Sequence, residues 1–194
     1  MRTASIERNT LETKIRLSLN IDGNGNKKIK TDIPFFKHML EQFAAHGYFD
    51  IDLDIISLDG DIHHTVEDVA IVLGQAFKEA LGDKKGIKRY GNATIPMDEA
   101  LVMCAIDLSG RAFCNTDLDI KEEKTGDFDT ILVKHFMTSF AANSLSTLHI
   151  KSLYGEDTHH IIEAAFKAFA RALKTACEID SEHKDITPST KGIL

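Results

Sequence analysis

Cysteine is scarce in this sequence, and what there is does not pair. Cys104, Cys114 and Cys177 make an odd count, show no C-x-x-C spacing and are flanked by apolar residues. They read as reduced core thiols of a cytosolic protein rather than as a disulfide framework. Positive charge is also short, with 23 Lys and Arg against 30 Asp and Glu, a net −7. No basic stripe offsets that balance, which excludes a general nucleic-acid binder; a small anionic substrate needs only a local cationic cluster. Long apolar runs are missing too. The longest, Ala100–Ile106, spans seven residues and cannot cross a bilayer. Met1–Leu11 carries charges and no apolar segment, so no signal peptide is expected and the cytoplasm is the expected compartment. What remains is an ordinary globular composition, 43% hydrophobic over 194 residues without a low-complexity tract, enough to bury a core without staples.

The periodicity alternates between the two regular types. Thr10–Ile21 alternates as a half-buried strand with Leu11, Ile15, Leu17, Leu19 and Ile21 on one face. Asp22-Gly23-Asn24-Gly25 then supplies hairpin turn chemistry; no helix follows these glycines, so they do not read as a phosphate loop. Pro34 opens a helix that Gly47 closes, Asp50–Ile56 is a second strand, and His64–Leu81 is a long amphipathic helix ended by Gly82. The second half repeats the plan. Glu99–Leu108 and Arg111–Ile120 read as strands, Lys121–Asp129 as a charged surface loop, and Ile131–Leu145 as a helix. Thr147–Leu153 is a further strand, Thr158–Cys177 a second long helix, and a polar tail follows.

The repeat extends to particular residues. His38 precedes the pair His63-His64 and His135 precedes the pair His159-His160, with 24 and 23 residues between, and Glu67 and Glu163 follow their pairs at the same distance. Two copies of such a pattern point to tandem duplication of a roughly 90-residue α+β unit. The expected fold is α+β. Each half, about 1–90 and 91–180, forms a small, mainly antiparallel sheet with two helices; the halves pack as one catalytic domain over 1–194, with a tail at 181–194.

On a helix, His63 and Glu67 share a face, as do His159 and Glu163. Neutral imidazole and carboxylate suit Mn, Fe, Co, Ni or Zn better than Ca or Mg. Six histidines and two glutamates divide into two sites of three His and one Glu. Adjacent helical residues point about 100° apart, so each histidine pair feeds two different ions, shared between helices or between chains. His46, His149 and His183 lie outside the repetition. Lys167 continues the face of His159 and Glu163 by one more turn, which either places an ammonium about 6 Å beyond a metal or merely extends a solvated face with Arg171 and Lys174. Glu12 falls in the polar set Glu12, Lys14, Arg16, Ser18 and Asn20, a solvated strand face by periodicity.

Several segments resemble the imidazoleglycerol-phosphate dehydratase family. They are Phe35-Phe36-Lys37-His38-Met39-Leu40, His63-His64-Thr65-Val66-Glu67-Asp68, Arg89-Tyr90-Gly91, Met97-Asp98-Glu99-Ala100-Leu101, Asp107-Leu108-Ser109-Gly110-Arg111, His159-His160-Ile161-Ile162-Glu163-Ala164, Phe166-Lys167-Ala168-Phe169 and Pro188-Ser189-Thr190-Lys191-Gly192. The resemblance runs in order through essentially the whole chain and implies the monofunctional form of the enzyme. It implies conversion of imidazole glycerol phosphate to imidazole acetol phosphate and water in histidine biosynthesis, with two Mn²⁺ per active site. It also implies a homo-oligomer of 24 subunits built from trimers, with sites between subunits and neither nucleic acid nor membrane as partner.

The implied metal ligands are His38, His63, His64, Glu67, His135, His159, His160 and Glu163, the set that the repeat had selected. The implied substrate contacts are Glu12, His38, Gln42, His46, His64, Asp68, Arg89, Arg111, His159, Lys167, Ser189 and Lys191, with Glu12, His64 and Glu163 as catalytic groups. A metal-bound imidazolate would let the ring expel hydroxide; a base such as Glu12 would then remove a carbon proton, and the resulting enol would ketonise. Arg89, Arg111, Lys167, Ser189 and Lys191 would hold the phosphate. The sequence departs from the family where Lys37 and Lys134 replace the usual acidic residue before each lone histidine, and where Asp61-Ile62 replaces paired acids. Both changes bear on how the ligands are oriented. A dimetal hydrolase would be expected to add bridging aspartates, which the repeated motif lacks, and a metal-storage bundle would need four long helices in the order E-x-x-H.

Overall fold

Alternating apolar side chains build the strands at the centre of two sheets. A computed structural model describes residues 1–194. In β2 (Thr13–Asn20) the residues Thr13, Ile15, Leu17 and Leu19 are buried between exposed Lys14, Arg16 and Ser18. This strand pairs antiparallel with β1 (Thr3–Asn9) and β4 (Asp50–Ser57), and β3 (Lys27–Lys30) adds to β4 in parallel, giving the order β1-β2-β4-β3. The second sheet consists of β5 (Tyr90–Met97), β6 (Ala100–Asp107), β10 (Thr147–Tyr154) and β7 (Phe113–Asp117), in the order β5-β6-β10-β7, with only β7 parallel to its neighbour. Strand for strand, the sheets are copies of one plan.

Four helices lie between the inner faces of the sheets: α1 (Pro34–Gly47), α2 (Ile62–Leu81), α3 (Ile131–Ser144) and α4 (Thr158–Cys177). The packing crosses between halves, α1 against α4 and α2 against α3. Phe43, Phe77, Phe140 and Phe169, one from each helix, meet at the centre with ring centroids 4.8–6.0 Å apart. Gly74 permits the close approach of α2 to α3, because a Cβ there would lie 2.7 Å from the Phe140 carbonyl oxygen. The core is one continuous cluster of 52 buried residues, and no helix is long and apolar enough to cross a membrane.

Local capping fixes both histidine pairs in space. Asp61 caps α2 by accepting from the His63 N–H, and Asp157 caps α4 by accepting from the N–H groups of His159 and His160. Each pair therefore sits in a first helical turn whose direction is set.

Several elements differ from the sequence expectation. The second strand begins at Thr13, so Leu11 is not on its buried face but 96% exposed, and Glu12 precedes the strand rather than lying on it. Thr13 takes the first inward position, and its hydroxyl donates to buried Asp68. Helix α2 starts at Ile62, two residues earlier than periodicity suggests. Strands β1, β3 and β5 are additional. The charged segment 121–129 contains a short hairpin, β8 (Lys124–Thr125) and β9 (Phe128–Asp129), anchored by buried Phe128.

Candidate metal centre and active site

Helices α1 and α4 bring His38, His159 and Glu163 together. Both histidines present Nε2 to Glu163 Oε2 at 3.1 Å, while Glu163 Oε1 accepts from Lys167 Nζ at 2.7 Å. Burial by itself would raise the Glu163 carboxyl, but Lys167 and His38 against it hold it down at about 2. Lys167 is therefore not on a solvated face: its side chain is 15% exposed and its ammonium also rests 3.4 Å from Met97 Sδ. The ring of His159 stands edge-on to Phe35, which packs on Phe128 of the hairpin. A cavity of about 440 Å³ opens here, lined by Phe35, His38, Phe128 and His159.

Gln42 and His46 continue the α1 face of His38 by successive turns. His46 Nε2 lies 3.1 Å from Gln42 Oε1, and Gln42 Nε2 lies 3.5 Å from His38 Nδ1. Burial first, and then the Lys167 ammonium, lower the His46 ring below the usual histidine range. His46 thus belongs to the same pole as His38, Gln42, His159, Glu163 and Lys167.

The other half supplies a looser counterpart, in which the two histidines meet but Glu67 does not close on them as Glu163 does. His63 on α2 faces His135 on α3 with ring centroids 4.6 Å apart, and Glu67 follows His63 by one turn on the same helix. Ile71 stands where the second half has Lys167.

His64 and His160 diverge from these clusters. Their rings are turned 72° and 80° from those of His63 and His159, with centroids 6.2 and 6.1 Å apart. His64 Nδ1 lies 2.7 Å from Asp59 Oδ2, and His160 Nδ1 lies 2.7 Å from Glu99 Oε2; each carboxylate raises its histidine. Glu99 also accepts from the N–H groups of Glu156 and Asp157, and with His160 these hold its carboxyl at about 2. Glu12 Oε1 approaches His64 only to 3.9 Å, so Glu12, Asp59 and His64 form a loose, exposed group. The sequence reading missed Asp59 and Glu99 as partners of the histidines. For Glu99 a signal existed: it precedes β6 as Glu12 precedes β2.

Of the five expected phosphate contacts, Lys167 lies in the His38–His159 cluster, paired with Glu163, whereas Arg89, Arg111, Ser189 and Lys191 lie at the opposite end of the second sheet. Arg89 is engaged by Asp107, Nε to Oδ1 at 2.7 Å and Nη2 to Oδ2 at 3.1 Å, and it donates to the Pro188 carbonyl at 2.8 Å. That bond, together with the Gly86 N–H to the Ile186 carbonyl, ties down the tail carrying Ser189 and Lys191. The chain end lies against Gly110, beside exposed Arg111. Asp68 is apart from all of these, buried and accepting from Arg8 and Thr13. The length of β6 separates Glu99 and His160 from Asp107 and Arg89, about 25 Å at about 3.3 Å per residue.

Comparison with known proteins gives one family. The family model for imidazoleglycerol-phosphate dehydratase matches residues 31–173. A dehydratase of that name from Geobacter sulfurreducens is 52% identical over 194 residues, covering 100% of this chain and 99% of the relative. One from Acetivibrio thermocellus is 54% identical with the same coverage. Among solved structures, the Staphylococcus aureus dehydratase is 37% identical with a TM-score of 0.83, covering 92% of this chain and 99% of that one. The IGPD of Pyrococcus furiosus, solved in complex with (S)-C348, is 36% identical with a TM-score of 0.84 over 97% and 100% of the two chains.

Proposed function

The chain belongs to the imidazoleglycerol-phosphate dehydratase family of hydro-lyases, and on that premise we propose that it converts imidazole glycerol phosphate to imidazole acetol phosphate and water. The observation that carries this reading is the convergence of His38, His159 and Glu163, with His63 facing His135 at the corresponding place in the other half. We infer two Mn²⁺ per active site. The donors are imidazole nitrogen and carboxylate oxygen, the set that borderline divalent ions accept. Metal–nitrogen bonds of about 2.1 Å place neighbouring ligands about 3 Å apart, and both histidine nitrogens stand 3.1 Å from Glu163 Oε2. When bound, such an ion supplies Lewis acidity toward an imidazole ring of the substrate.

The chain's own residues supply the rest. His38, His63, His135 and His159, with Glu67 and Glu163, form the inward ligand sets, and His64 and His160 provide outward ones. Phe35 and Phe128 wall off one side of the His38–His159 cavity and limit water there. Glu12, half-exposed and without a close partner, takes or gives the carbon proton. Arg111, Ser189 and Lys191 meet the phosphate, with Arg89 fixing the tail that presents two of them. Within a single chain the length of β6 holds Glu99 and His160 about 25 Å from Asp107 and Arg89, more than one small substrate spans. Each active site is therefore composite, and self-association into a 24-mer of trimers brings the two ends together.

The test is to load the protein with Mn²⁺, supply imidazole glycerol phosphate and follow formation of the enol or ketone product. Absence of product from a metal-loaded, assembled sample overturns the reading. Hydrolysis of generic phosphate esters in its place would identify a hydrolase.

A further inference from the structure

We propose that Glu99 and Asp59 are positioning residues that hold His160 and His64 in the Nδ1–H form, leaving Nε2 as the free lone pair on each ring. The inference deepens the dehydratase reading above and rests on it for the purpose of those lone pairs. It is carried by a comparison of the two halves. Glu12 and Glu99 occupy the same place in the repeat, each immediately before the second strand of its sheet. They are used differently.

In the second half, Glu99 Oε2 lies 2.7 Å from His160 Nδ1, while Oε1 accepts from the Glu156 and Asp157 N–H groups at 3.2 and 2.8 Å. The carboxylate is locked by three bonds. In the first half the connection from strand to long helix, Leu58–Asp61, is four residues; in the second, Gly155–Asp157, it is three. The longer connection carries Asp59, whose Oδ1 accepts from the Asp61 N–H at 2.9 Å and whose Oδ2 lies 2.7 Å from His64 Nδ1. Asp59 thus does for His64 what Glu99 does for His160. Glu12 stands 3.9 Å from the same nitrogen, beyond hydrogen-bond reach, and keeps its carboxylate uncommitted.

An ionised carboxylate only accepts hydrogen bonds. The ring nitrogen that it meets must therefore carry the proton, and the opposite nitrogen keeps its lone pair. The only acid near the far side of His160 is Asp98, at 3.7 Å from Nε2, too long to claim it. These contacts also answer the loss of acidic residues at Lys37 and Lys134: orientation of the outward histidines comes from loops that precede a strand and a helix, not from the residues flanking the lone histidines.

The test uses the metal-free, full-length protein labelled with ¹⁵N, with long-range ¹H–¹⁵N correlation of the histidine rings at a pH where they are neutral. In the wild type, His160 and His64 are expected as Nδ1–H. In Glu99→Gln the amide oxygen can still accept from the helix N–H groups, but the NH₂ group faces the ring, so His160 is expected to become Nε2–H while His64 stays unchanged. Asp59→Asn is expected to do the reverse. Each variant should weaken Mn²⁺ binding about 10–100-fold. Glu12→Gln should leave both tautomers and Mn²⁺ binding as in the wild type, while turnover falls about 100-fold. Nε2–H rings in the wild type, or a ring unmoved by its own variant, overturn the proposal. The wild-type spectrum decides it even if a variant fails to fold. Correct tautomers in a protein that binds no Mn²⁺ would leave the positioning role intact and sink the metal reading.

Discussion

Lys167 lies one helical turn beyond Glu163, and its ammonium is 2.7 Å from the carboxylate that His38 and His159 share. Both side chains are largely buried, 15% and 7% exposed, so removing the cation leaves the buried carboxylate with only the two histidines as partners. Lys167→Met should lower the stability of the metal-free protein by about 3 kcal/mol. Bound Mn²⁺ would replace the lost positive charge, so urea melts with and without Mn²⁺ should show a smaller deficit in the loaded protein. An equal deficit in both would mean that the ion does not sit on Glu163.

The ligand set has a stoichiometric consequence. Six histidines and two glutamates per chain should retain about two Mn²⁺ through desalting, as elemental analysis will report. Because His64 and His160 turn away from their own chain's clusters, the ions should bridge chains and drive assembly. Light scattering is expected to show a large particle that falls to a smaller one, a trimer, on chelation, with activity lost in parallel. A stable monomer in saturating Mn²⁺ would count against the composite site.

At the end proposed to meet the phosphate, the tail is held by the Arg89–Pro188 bond and by the chain end beside Gly110. Deleting residues 188–194 removes Ser189 and Lys191 without touching a histidine. KM should rise far more than the Kd for Mn²⁺, measured by steady-state kinetics and by metal titration. Equal losses would make the tail a structural strap.

The chain start is pinned to the end of α4. Arg2 bonds Asp22 at 2.6 Å and donates to the Cys177 carbonyl at 2.6 Å. The Arg2 guanidinium holds the Asp22 carboxyl below its ordinary value of 3.8, against the opposing effect of burial. A carboxyl lowered in the folded state contributes stability above its unfolded pKa and loses it as pH falls through the folded one. Asp22→Asn should therefore cost about 1 kcal/mol near neutrality, the size expected of a partly exposed pair. The gap between variant and wild type should close as the pH falls below about 4, which thermal melts across the acid range can follow.

The sequence displays the centre of each sheet better than its edges. The central strands β2, β4, β6 and β10 bury one face against helices, and strict alternation marks them. The strands that periodicity overlooked, β1, β3 and β5, all lie at sheet edges, where only part of one face is covered. Lys27–Lys30 offers a single apolar residue, Ile29, and Tyr90–Met97 carries Gly91 and Pro96, which read as breakers. Leu11 misled in the other direction, since its fit to the alternation extended the strand over Glu12. The histidines of the candidate metal centre stand out because duplication prints them twice. Asp59 was hidden because its loop differs in length between the halves, and Asp107 because an arginine that reads as a phosphate ligand gives no sign of its own counterion.

The crossing of α1 onto α4 and of α2 onto α3 means that neither half owns its interior. Cut alone from the chain, the first half would expose Phe36, Met39, Leu40 and Phe43 along α1, a greasy seam with nothing to cover it. Two half-length polypeptides joined about a twofold axis through the Phe43–Phe77–Phe140–Phe169 cluster would restore the same interior, so the present chain has the geometry of a dimer whose subunits have been spliced end to end. Such a protein should survive being unspliced at the exposed Gly82-Asp83 link. Residues 1–82 and 83–194, produced together, should find each other and copurify, whereas each produced alone should aggregate.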